Sequence, residues 1–425
     1  MLRVTALTAA IASVLASGAA FAENPVANKT PKGNLTNPNV SVVLDAYYQD
    51  GVRALGEHSE GFNLGHNELA ISAAIDDKFY GKFTTVLETH DGSTELNIEE
   101  AFIQTLAMPA GFSIRGGRFL SDIGYLNPLH KHTDSFAERP IAYRAFLGNH
   151  YYDDGARLNW VAPTETYWVL GAEGFSGRPL TPETDHDHEH EEEHSSSKSK
   201  VPVFTAYTKI GGDIGESSSW RIGLNYLYNK NGARMLEEHH DEEMELDGEH
   251  DEHDHSHSAA YTGENMAVID AVFKWAPGGN YKYNHLTLSG EYFQINDIVK
   301  KGHEEEHHEE EEHEEHGDEH HDEHGDNSKK NHKGWYASAV YQFTPSWSAG
   351  LRYGQVDAYE IHGDHLDKQQ LKETDIALNW HPSHFSVVRF QYTHQKGTNF
   401  EGFNNDKVFT LQYVMTLGAH GAHQF

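Results

Sequence analysis

The sequence predicts a transmembrane antiparallel β-barrel of about 16 strands, and three observations lead to this all-β fold class. First, only 37% of the 425 residues are hydrophobic, and beyond the N-terminal leader no run of about 18 apolar residues could form a spanning helix. Second, short segments alternate apolar and polar residues with a period of two. Third, short connections between these segments alternate with long ones, as in outer-membrane barrels.

The N-terminus has the pattern of a secretory signal. Arg3 precedes an apolar run from Val4 to Leu15, and small residues lead to Ala20-Phe21-Ala22, an A-x-A cleavage site. We expect a signal peptide at 1–22, a periplasmic N-terminal segment at 23–38 and a barrel at 39–425 in the bacterial outer membrane. The chain has no cysteine, which excludes disulfides and thiolate metal sites.

Strands follow from the alternation. Across Trp220–Asn229, one face carries Trp, Ile, Leu, Tyr and Tyr, while the other carries Arg, Gly, Asn, Leu and Asn, so one face suits lipid and the other water. The pattern predicts strands at about 39–49, 63–76, 79–90, 95–107, 111–119, 152–162, 166–175, 202–211, 218–229, 264–276, 283–296, 334–344, 346–357, 371–381, 384–395 and 406–417. A soluble β-sandwich is the alternative, but aromatic residues near both strand ends favour the interfacial girdles of a membrane barrel.

The connections give the expected orientation. DDK, MPAG, APTE, DIGESS, APGGNY, TPS and HPSH are short, whereas most of the others are long. Short turns are typical of the periplasmic side and long loops of the outside. The third long connection covers about residues 120–151, and three further long connections at about 177–201, 230–263 and 297–333 are expected to be the fourth to sixth external loops.

The architecture resembles bacterial general and phosphate-selective porins, and that resemblance implies a third external loop that folds inward. The segments NPNVSVVLDAYYQD, GRFLSDIGYLNPLHKHTDSF, RAFLGNHYYDDGARLNWVAPT and LGAHGAHQF look more narrowly like a proteobacterial family of porin-like outer-membrane proteins. That family has His-rich external loops and is associated with zinc supply. The resemblance therefore implies a channel whose cargo is zinc.

Three acidic segments, which we call the His/Glu blocks, cover residues 183–194, 237–257 and 303–326. They hold about half of the 66 acidic residues, none of the 32 Lys and Arg residues, and 18 of the 33 histidines. Imidazole and carboxylate ligands suit Zn²⁺, transported or loosely bound, and the ligand types do not exclude Cu²⁺, Ni²⁺ or Co²⁺. The alternative is that the blocks are solvated charged loops that bind no ligand. Such loops would explain the Asp and Glu residues but not the histidines. The candidate metal ligands are His186, His188, His190, His194, His239, His240, His250, His253, His255, His257, His303, His307, His308, His313, His316, His320, His321 and His324.

A second candidate site lies in the third external loop. If this loop enters the pore, His130 and His132 with Asp134 or His150 would form a metal relay at the constriction. The alternative, to which we give equal weight, is a mixed set of charges that creates an electric field across the pore and holds no metal. His58, His66 and His90 are expected to be ordinary polar rim residues. The expected lumen-facing side chains are Glu68, Lys82, Glu88, Arg157, Arg221, Glu291, Arg352, Asp375 and Arg389.

These features predict a channel that captures divalent metal, zinc above all, on external loops and lets it diffuse to the periplasm. The alternative is a surface metal buffer or adhesin that a barrel anchors in the membrane. No G-x-S-x-G motif occurs, and we expect neither enzymatic activity nor catalytic residues. The expected partners are outer-membrane lipid, divalent metal ions and two further copies in a homotrimer, with no nucleic acid.

Overall fold

The computed structural model describes residues 38–90, 93–181, 201–236, 258–301, 330–362, 365–400 and 405–418. The predicted signal peptide, residues 23–37, the three His/Glu blocks and residues 419–425 lie outside the described residues. The domain boundaries and the 18 block histidines proposed as ligands therefore stay predictions.

The described residues form 19 strands, one α-helix and four 3-10 turns. The strands are β1 (Asn39–Asp50), β2 (Gly61–Leu64), β3 (Asn67–Ala74), β4 (Phe79–His90), β5 (Ser93–Thr105), β6 (Phe112–Leu120), β7 (Tyr152–Val161), β8 (Tyr167–Phe175), β9 (Val203–Ile214), β10 (Ser218–Asn229), β11 (Arg234–Leu236), β12 (Asn265–Trp275), β13 (His285–Asn296), β14 (Val299–Lys301), β15 (His332–Thr344), β16 (Trp347–His362), β17 (His365–Ser383), β18 (Ser386–Thr398) and β19 (Lys407–Gly418). The helix α1 spans Ile141–Leu147, and the 3-10 turns span Pro109–Gly111, Lys131–Thr133, Arg178–Leu180 and Pro277–Gly279.

Seventeen of these strands form one antiparallel sheet that closes on itself, because β1 pairs with β19 from Ser41↔Gly418 to Asp50↔Phe409. Strands β2 and β3 both pair with β1 and are two pieces of one strand, interrupted at Gly65 and His66. The barrel therefore has 16 strands, which confirms the predicted fold. Strands β11 and β14 form a separate parallel pair.

One predicted loop is a strand extension instead. Residues 358–370 were expected to connect two strands, but β16 continues to His362 and β17 begins at His365. The extension is stabilised because Ala358, Leu366 and Leu371 are buried in the same apolar cluster as α1. Burial on one face specifies strand register.

The outward face of the sheet is apolar. On β10, Ile222, Leu224 and Tyr226 are 47%, 52% and 48% exposed and point outward, while Asn225 is 6% exposed and points inward. Six of the seven tryptophans lie where strands meet the short turns, which we call the turn end of the barrel; they are Trp160, Trp168, Trp220, Trp275, Trp347 and Trp380. This belt is typical of a membrane interface. Among the described residues, no helix has the length and apolar character of a membrane span.

Residues 121–151, which we call loop 3, fold into the lumen. Every residue of α1 is buried, and the wall has glycines where the loop packs closest. A Cβ at Gly334 would lie 2.5 Å from Phe146 Cε2, and one at Gly350 would lie 2.9 Å from Phe136 Cζ. The inward course of the third long loop, implied by the porin resemblance, is therefore observed.

Candidate functional site

Loop 3 carries two histidines and a lysine across the lumen to the wall formed by β3, β4 and β5. Lys131 and His132 belong to the 3-10 turn, and His130 immediately precedes it. Thr133 Oγ1 donates to His130 O at 2.7 Å, and Arg389 Nη2 donates to His132 O at 3.0 Å. These bonds fix the turn from the loop itself and from β18.

The side chains of four histidines and four glutamates meet here in what we call the His–Glu cluster. Its members are His66, Glu68, Glu88, Glu99, Glu100, His130, His132 and His150. Glu68 contacts two histidines of loop 3, with Oε2 3.3 Å from His130 Nδ1 and Oε1 2.9 Å from His132 Nδ1. The wall therefore supplies a carboxylate to each imidazole of loop 3.

Glu99 joins the 3-10 turn region of loop 3 to the end of the loop. Its Oε2 lies 3.0 Å from His130 Nδ1, and its Oε1 lies 2.8 Å from His150 Nε2. The same Oε1 lies 3.5 Å from His66 Nε2, and His66 Nδ1 contacts Glu88. His150 thus belongs to the cluster through a wall carboxylate.

Both Glu99 and Glu100 face the lumen, although strict alternation would place these neighbours on opposite faces. The pairing of β4 with β5 contains a bulge, since Thr84 pairs with Glu100 but Thr85 pairs with Ile98. A bulge adds one residue to one strand and re-aims its side chains. Glu99 is that added residue, and Glu99 and Glu100 are 1% and 4% exposed.

Two lysines already neutralise part of the cluster. Lys82 Nζ contacts Glu100 and lies 2.7 Å from His130 Nε2. Lys131 Nζ lies 2.5 Å from Glu57 Oε1 and 3.6 Å from Glu88 Oε1. Within the described residues, Glu68 and Glu99 make their ion-pair contacts only with histidines.

The electrostatic environment differs between His130, beside the 3-10 turn, and His150, near the end of loop 3. Burial lowers the pKa of His130, but Glu68, Glu100 and Glu99 outweigh burial, so this pKa lies well above its usual value. Burial and the nearby Lys131 lower the pKa of His150 to about 4, despite the contact with Glu99. The cluster therefore favours a positive charge at His130 and a neutral imidazole at His150.

Two groups of three side chains have the ligand types and spacing of a metal site. Ligand atoms of Glu68, His130 and His132 all lie within 4.8 Å of one another, as do those of Glu99, Glu100 and His130. The first group is the better candidate because Lys82 contacts two members of the second. Three buried cluster atoms, His66 Nε2, Glu99 Oε2 and His130 Nδ1, lie 3.0–3.5 Å from ion-pair partners but make no hydrogen bond, so a bound cation would satisfy the carboxylate better than the present contacts do.

Asp134, the fourth predicted relay residue, is not part of the cluster. Its Oδ2 lies 2.6 Å from Arg139 Nε, and burial outweighs that contact and raises its pKa. His58 and His66 are not rim residues as expected. Each is 7% exposed, because His58 stacks on Tyr47 with ring centroids 3.9 Å apart and His66 contacts the wall carboxylates.

The lumen-facing prediction is confirmed for all nine side chains. Seven of the residues are at most 6% exposed on the inner side of the sheet, and the side chains of Arg221 and Lys82 are 11% and 21% exposed. The seven are Glu68, Glu88, Arg157, Glu291, Arg352, Asp375 and Arg389. Sequence reasoning missed Glu99, Glu100 and the cluster role of His66.

A second ionic network anchors loop 3 outside the cluster. Arg144 Nη1 lies 3.1 Å from Glu138 Oε2 and Arg144 Nη2 lies 2.6 Å from Glu373 Oε2, with all three side chains at most 1% exposed. Arg53 Nη1 lies 3.8 Å from Glu138 and 3.9 Å from Glu373. Tyr143 Oη donates to Glu291 at 2.9 Å. Loop 3 is thus fixed by groups on several strands.

Two cavities flank loop 3. The outer cavity, about 30 Å³, includes Glu57 and His58 from the long connection after β1. The inner cavity, about 170 Å³, includes His381 and His384 at the turn between β17 and β18. Asp134 lines both. Loop 3 therefore separates a cavity towards the long loops from one towards the turn end.

Sequence comparisons find a distant relative but no family. No protein-family model matches the chain. A protein of Aquifex aeolicus strain VF5, described only as uncharacterized, is 27% identical over 392 residues, which cover 89% of this chain and 74% of that protein.

Solved outer-membrane proteins share the fold at low identity. OmpT of Vibrio cholerae has a TM-score of 0.52 and 6% identity, and the match covers 91% of this chain and 99% of OmpT. An anion-selective porin from Comamonas acidovorans has a TM-score of 0.51 and 9% identity, covering 90% of this chain and 100% of that porin. OprB of Pseudomonas putida has a TM-score of 0.51 and 9% identity, covering 90% and 94%. The chain has a porin-like barrel and is located in the bacterial outer membrane.

Proposed function

We propose that this protein is an outer-membrane channel that captures divalent metal ions, zinc above all, and passes them to the periplasm. In this proposal the His/Glu blocks gather the ion outside, and the group Glu68, His130 and His132 is its transit site in the lumen. The observation that carries the proposal is the contact of one wall carboxylate with two loop histidines at the crossing point of loop 3.

The ligand geometry supports transit rather than storage. Ligands of a tetrahedral zinc ion lie about 3.3 Å apart, given bond lengths of about 2 Å. The carboxylate of Glu68 already lies 3.3 Å from His130 Nδ1 and 2.9 Å from His132 Nδ1, close to that spacing. The group supplies three protein ligands and leaves a fourth position for water or for the next ligand, which suits the ready release that conduction requires.

The same geometry revises the predicted relay. His130, His132 and His150 stay in it, while Glu68 and Glu99 replace Asp134, whose carboxylate contacts Arg139. Imidazole and carboxylate suit Zn²⁺ better than the harder Mg²⁺ or Ca²⁺, and the ion must displace the proton that Glu68, Glu99 and Glu100 favour on His130. Membership of the proteobacterial family with His-rich loops, and association into a homotrimer, are part of this proposal.

Zinc flux into liposomes tests the transit site. The variant Glu68→Gln/His130→Gln/His132→Gln should lower zinc influx at least about ten-fold relative to wild type, because it removes the charge and both imidazoles of the group. The control His394→Gln changes an exposed histidine on the outer face of β18 and should leave influx unchanged. Potassium conductance in the same membranes reports an intact pore.

A surface metal buffer is the second candidate, and the separation of the two cavities by loop 3 favours it. In that case, purified protein binds zinc through the blocks while liposomes show no zinc influx above that of protein-free membranes. Influx that is present but insensitive to the triple substitution would instead reject the transit site and retain the channel.

A further inference from the structure

The inner cavity has a chemistry different from that of the His–Glu cluster. It lies between residues 132–135 of loop 3 and the turn end of β16 to β19, and its volume is about 170 Å³. One water molecule occupies about 30 Å³ of the liquid, so the cavity has room for a small polyatomic ion with water. Its polar lining includes Arg389, Asn379, Ser348, Ser386, His381 and His384.

Arg389 is the notable member of this lining. It is 3% exposed, and its hydrogen bonds go to neutral acceptors: Nη1 donates to Gln412 Oε1 at 2.8 Å, and Nη2 donates to the carbonyl oxygens of His132 and Asp134. Its Nε is buried without a hydrogen-bond partner. Within the described residues, no carboxylate oxygen lies within 4.0 Å of its guanidinium nitrogens.

Other buried arginines of the lumen have carboxylate partners. Arg144 contacts Glu373 at 2.6 Å, Arg157 contacts Glu173 at 2.6 Å, and Arg352 contacts Asp375 at 2.8 Å. Burying a charge without a partner is unfavourable. Arg389 therefore departs from the pattern of its neighbours.

The acids closest to Arg389 are already engaged. Asp134 lines the cavity, but Arg139 Nε binds its carboxylate at 2.6 Å. Asp45 lies behind Gln412, whose Nε2 donates to both Asp45 oxygens at 2.9 Å. Asp45 and Asp134 therefore attract Arg389 only from beyond ion-pairing distance, and the inner cavity is the place from which a direct counter-charge can reach it.

We propose that the inner cavity binds a small oxyanion, held by the Nε of Arg389 together with the hydroxyl and imidazole groups of the lining. Asn379 Nδ2 donates to Ser135 O and Ser348 Oγ, which leaves Asn379 Oδ1 buried without a donor. A protonated oxyanion such as hydrogen phosphate satisfies both needs, because it accepts from Arg389 and donates to Asn379. This site goes beyond the proposed metal path and does not depend on it.

Calorimetry of the full-length protein with inorganic phosphate near pH 7 tests the site. Wild type should bind one phosphate saturably, and Arg389→Gln should weaken binding at least about ten-fold. The matched control Arg352→Gln removes a lumen arginine that already has a carboxylate partner and should retain binding.

A second variant separates binding from folding, because Arg389 also holds loop 3. Ser386→Asp leaves Arg389 in place and puts a carboxylate into the cavity, so phosphate binding should again fall at least about ten-fold. Absence of saturable phosphate binding by wild type, or binding that both variants retain, overturns the proposal. Zinc binding that is lost in His381→Ala/His384→Ala, with no phosphate binding, overturns it in favour of a cation site.

Discussion

Arg144→Met should release loop 3 from the wall of the barrel. The guanidinium of Arg144 is fully buried between Glu138 and Glu373, and removal of one partner from a buried ion pair costs about 3–5 kcal/mol. Arg53 lies 3.8 Å and 3.9 Å from the same two carboxylates. In the variant, Arg53 therefore still neutralises part of their negative charge. We therefore take the lower limit, about 3 kcal/mol, which corresponds to a roughly hundred-fold shift towards the released loop.

Trypsin cleavage after Lys131 measures this shift. The side chain of Lys131 is 10% exposed in the docked loop, and cleavage follows the population of the open form when opening and closing are fast. Mass spectrometry of the Lys131–His132 bond should show cleavage about a hundred times faster in Arg144→Met. The control Arg118→Met removes a half-exposed pair with Asp154 on the outer face and should change the rate less than about five-fold, because such pairs contribute about 0.2–1 kcal/mol.

The double variant Arg144→Met/Glu373→Gln sharpens the argument. The double variant leaves Glu138, which Arg53 and His58 still contact, as the one carboxylate that loses Arg144. It should therefore be cleaved more slowly than Arg144→Met alone. Equal cleavage of wild type and Arg144→Met would refute the reasoning, since it would mean that this network contributes nothing to docking. Faster cleavage of the double variant would assign the effect to lost packing instead.

Three further predictions concern the loop, its pH dependence and the blocks. Gly334→Ala should destabilise docking by about 1–3 kcal/mol through overpacking against Phe146, as measured by the same cleavage, while Gly116→Ala, which meets nothing within 4 Å, should not. Burial raises the pKa of Glu138, but Arg53, His58 and Arg144 outweigh burial and lower it from 4.5. The stability that Glu138 contributes is therefore present above pH 4.5 and lost as pH falls through the folded pKa, so the melting temperatures of wild type and Glu138→Gln should converge in acid. Calorimetry should show several reversible Zn²⁺ sites per chain with affinity that falls below about pH 6.5, where protons compete for imidazole; no uptake at neutral pH would contradict this.

The period-two pattern predicted most of the fold because it is a local property of each strand. It placed Glu68 and Glu88 on the lumen side correctly, and the third long connection supplied His130 and His132. It could not place Glu99, because the β4–β5 bulge breaks the alternation that the prediction rests on. A bulge has no sequence signature comparable to alternation itself.

The remaining errors involve contacts between residues distant in sequence. Asp134 looked like a ligand because it is two residues from His132, but Arg139 binds its carboxylate. His66 looked like a rim residue because its neighbourhood depends on Glu88 and Glu99, which are brought together only by the closed sheet. Arg389 was correctly placed in the lumen, yet the absence of a carboxylate beside it could be found only from the three-dimensional arrangement of the described residues.

The proposed path and the proposed anion site together explain how a cation could leave the lumen. A metal ion that moves from Glu68, His130 and His132 towards the turn end must pass below residues 132–134, where Arg389 lines the inner cavity. An unneutralised guanidinium there repels the ion, and the repulsion is strong in a buried region of low dielectric. An oxyanion bound beside Arg389 removes that repulsion and offers oxygen ligands weaker than imidazole. Zinc influx should therefore rise when phosphate is added at concentrations too low to precipitate zinc, and this rise should be lost in Ser386→Asp, which fills the same position with a fixed charge.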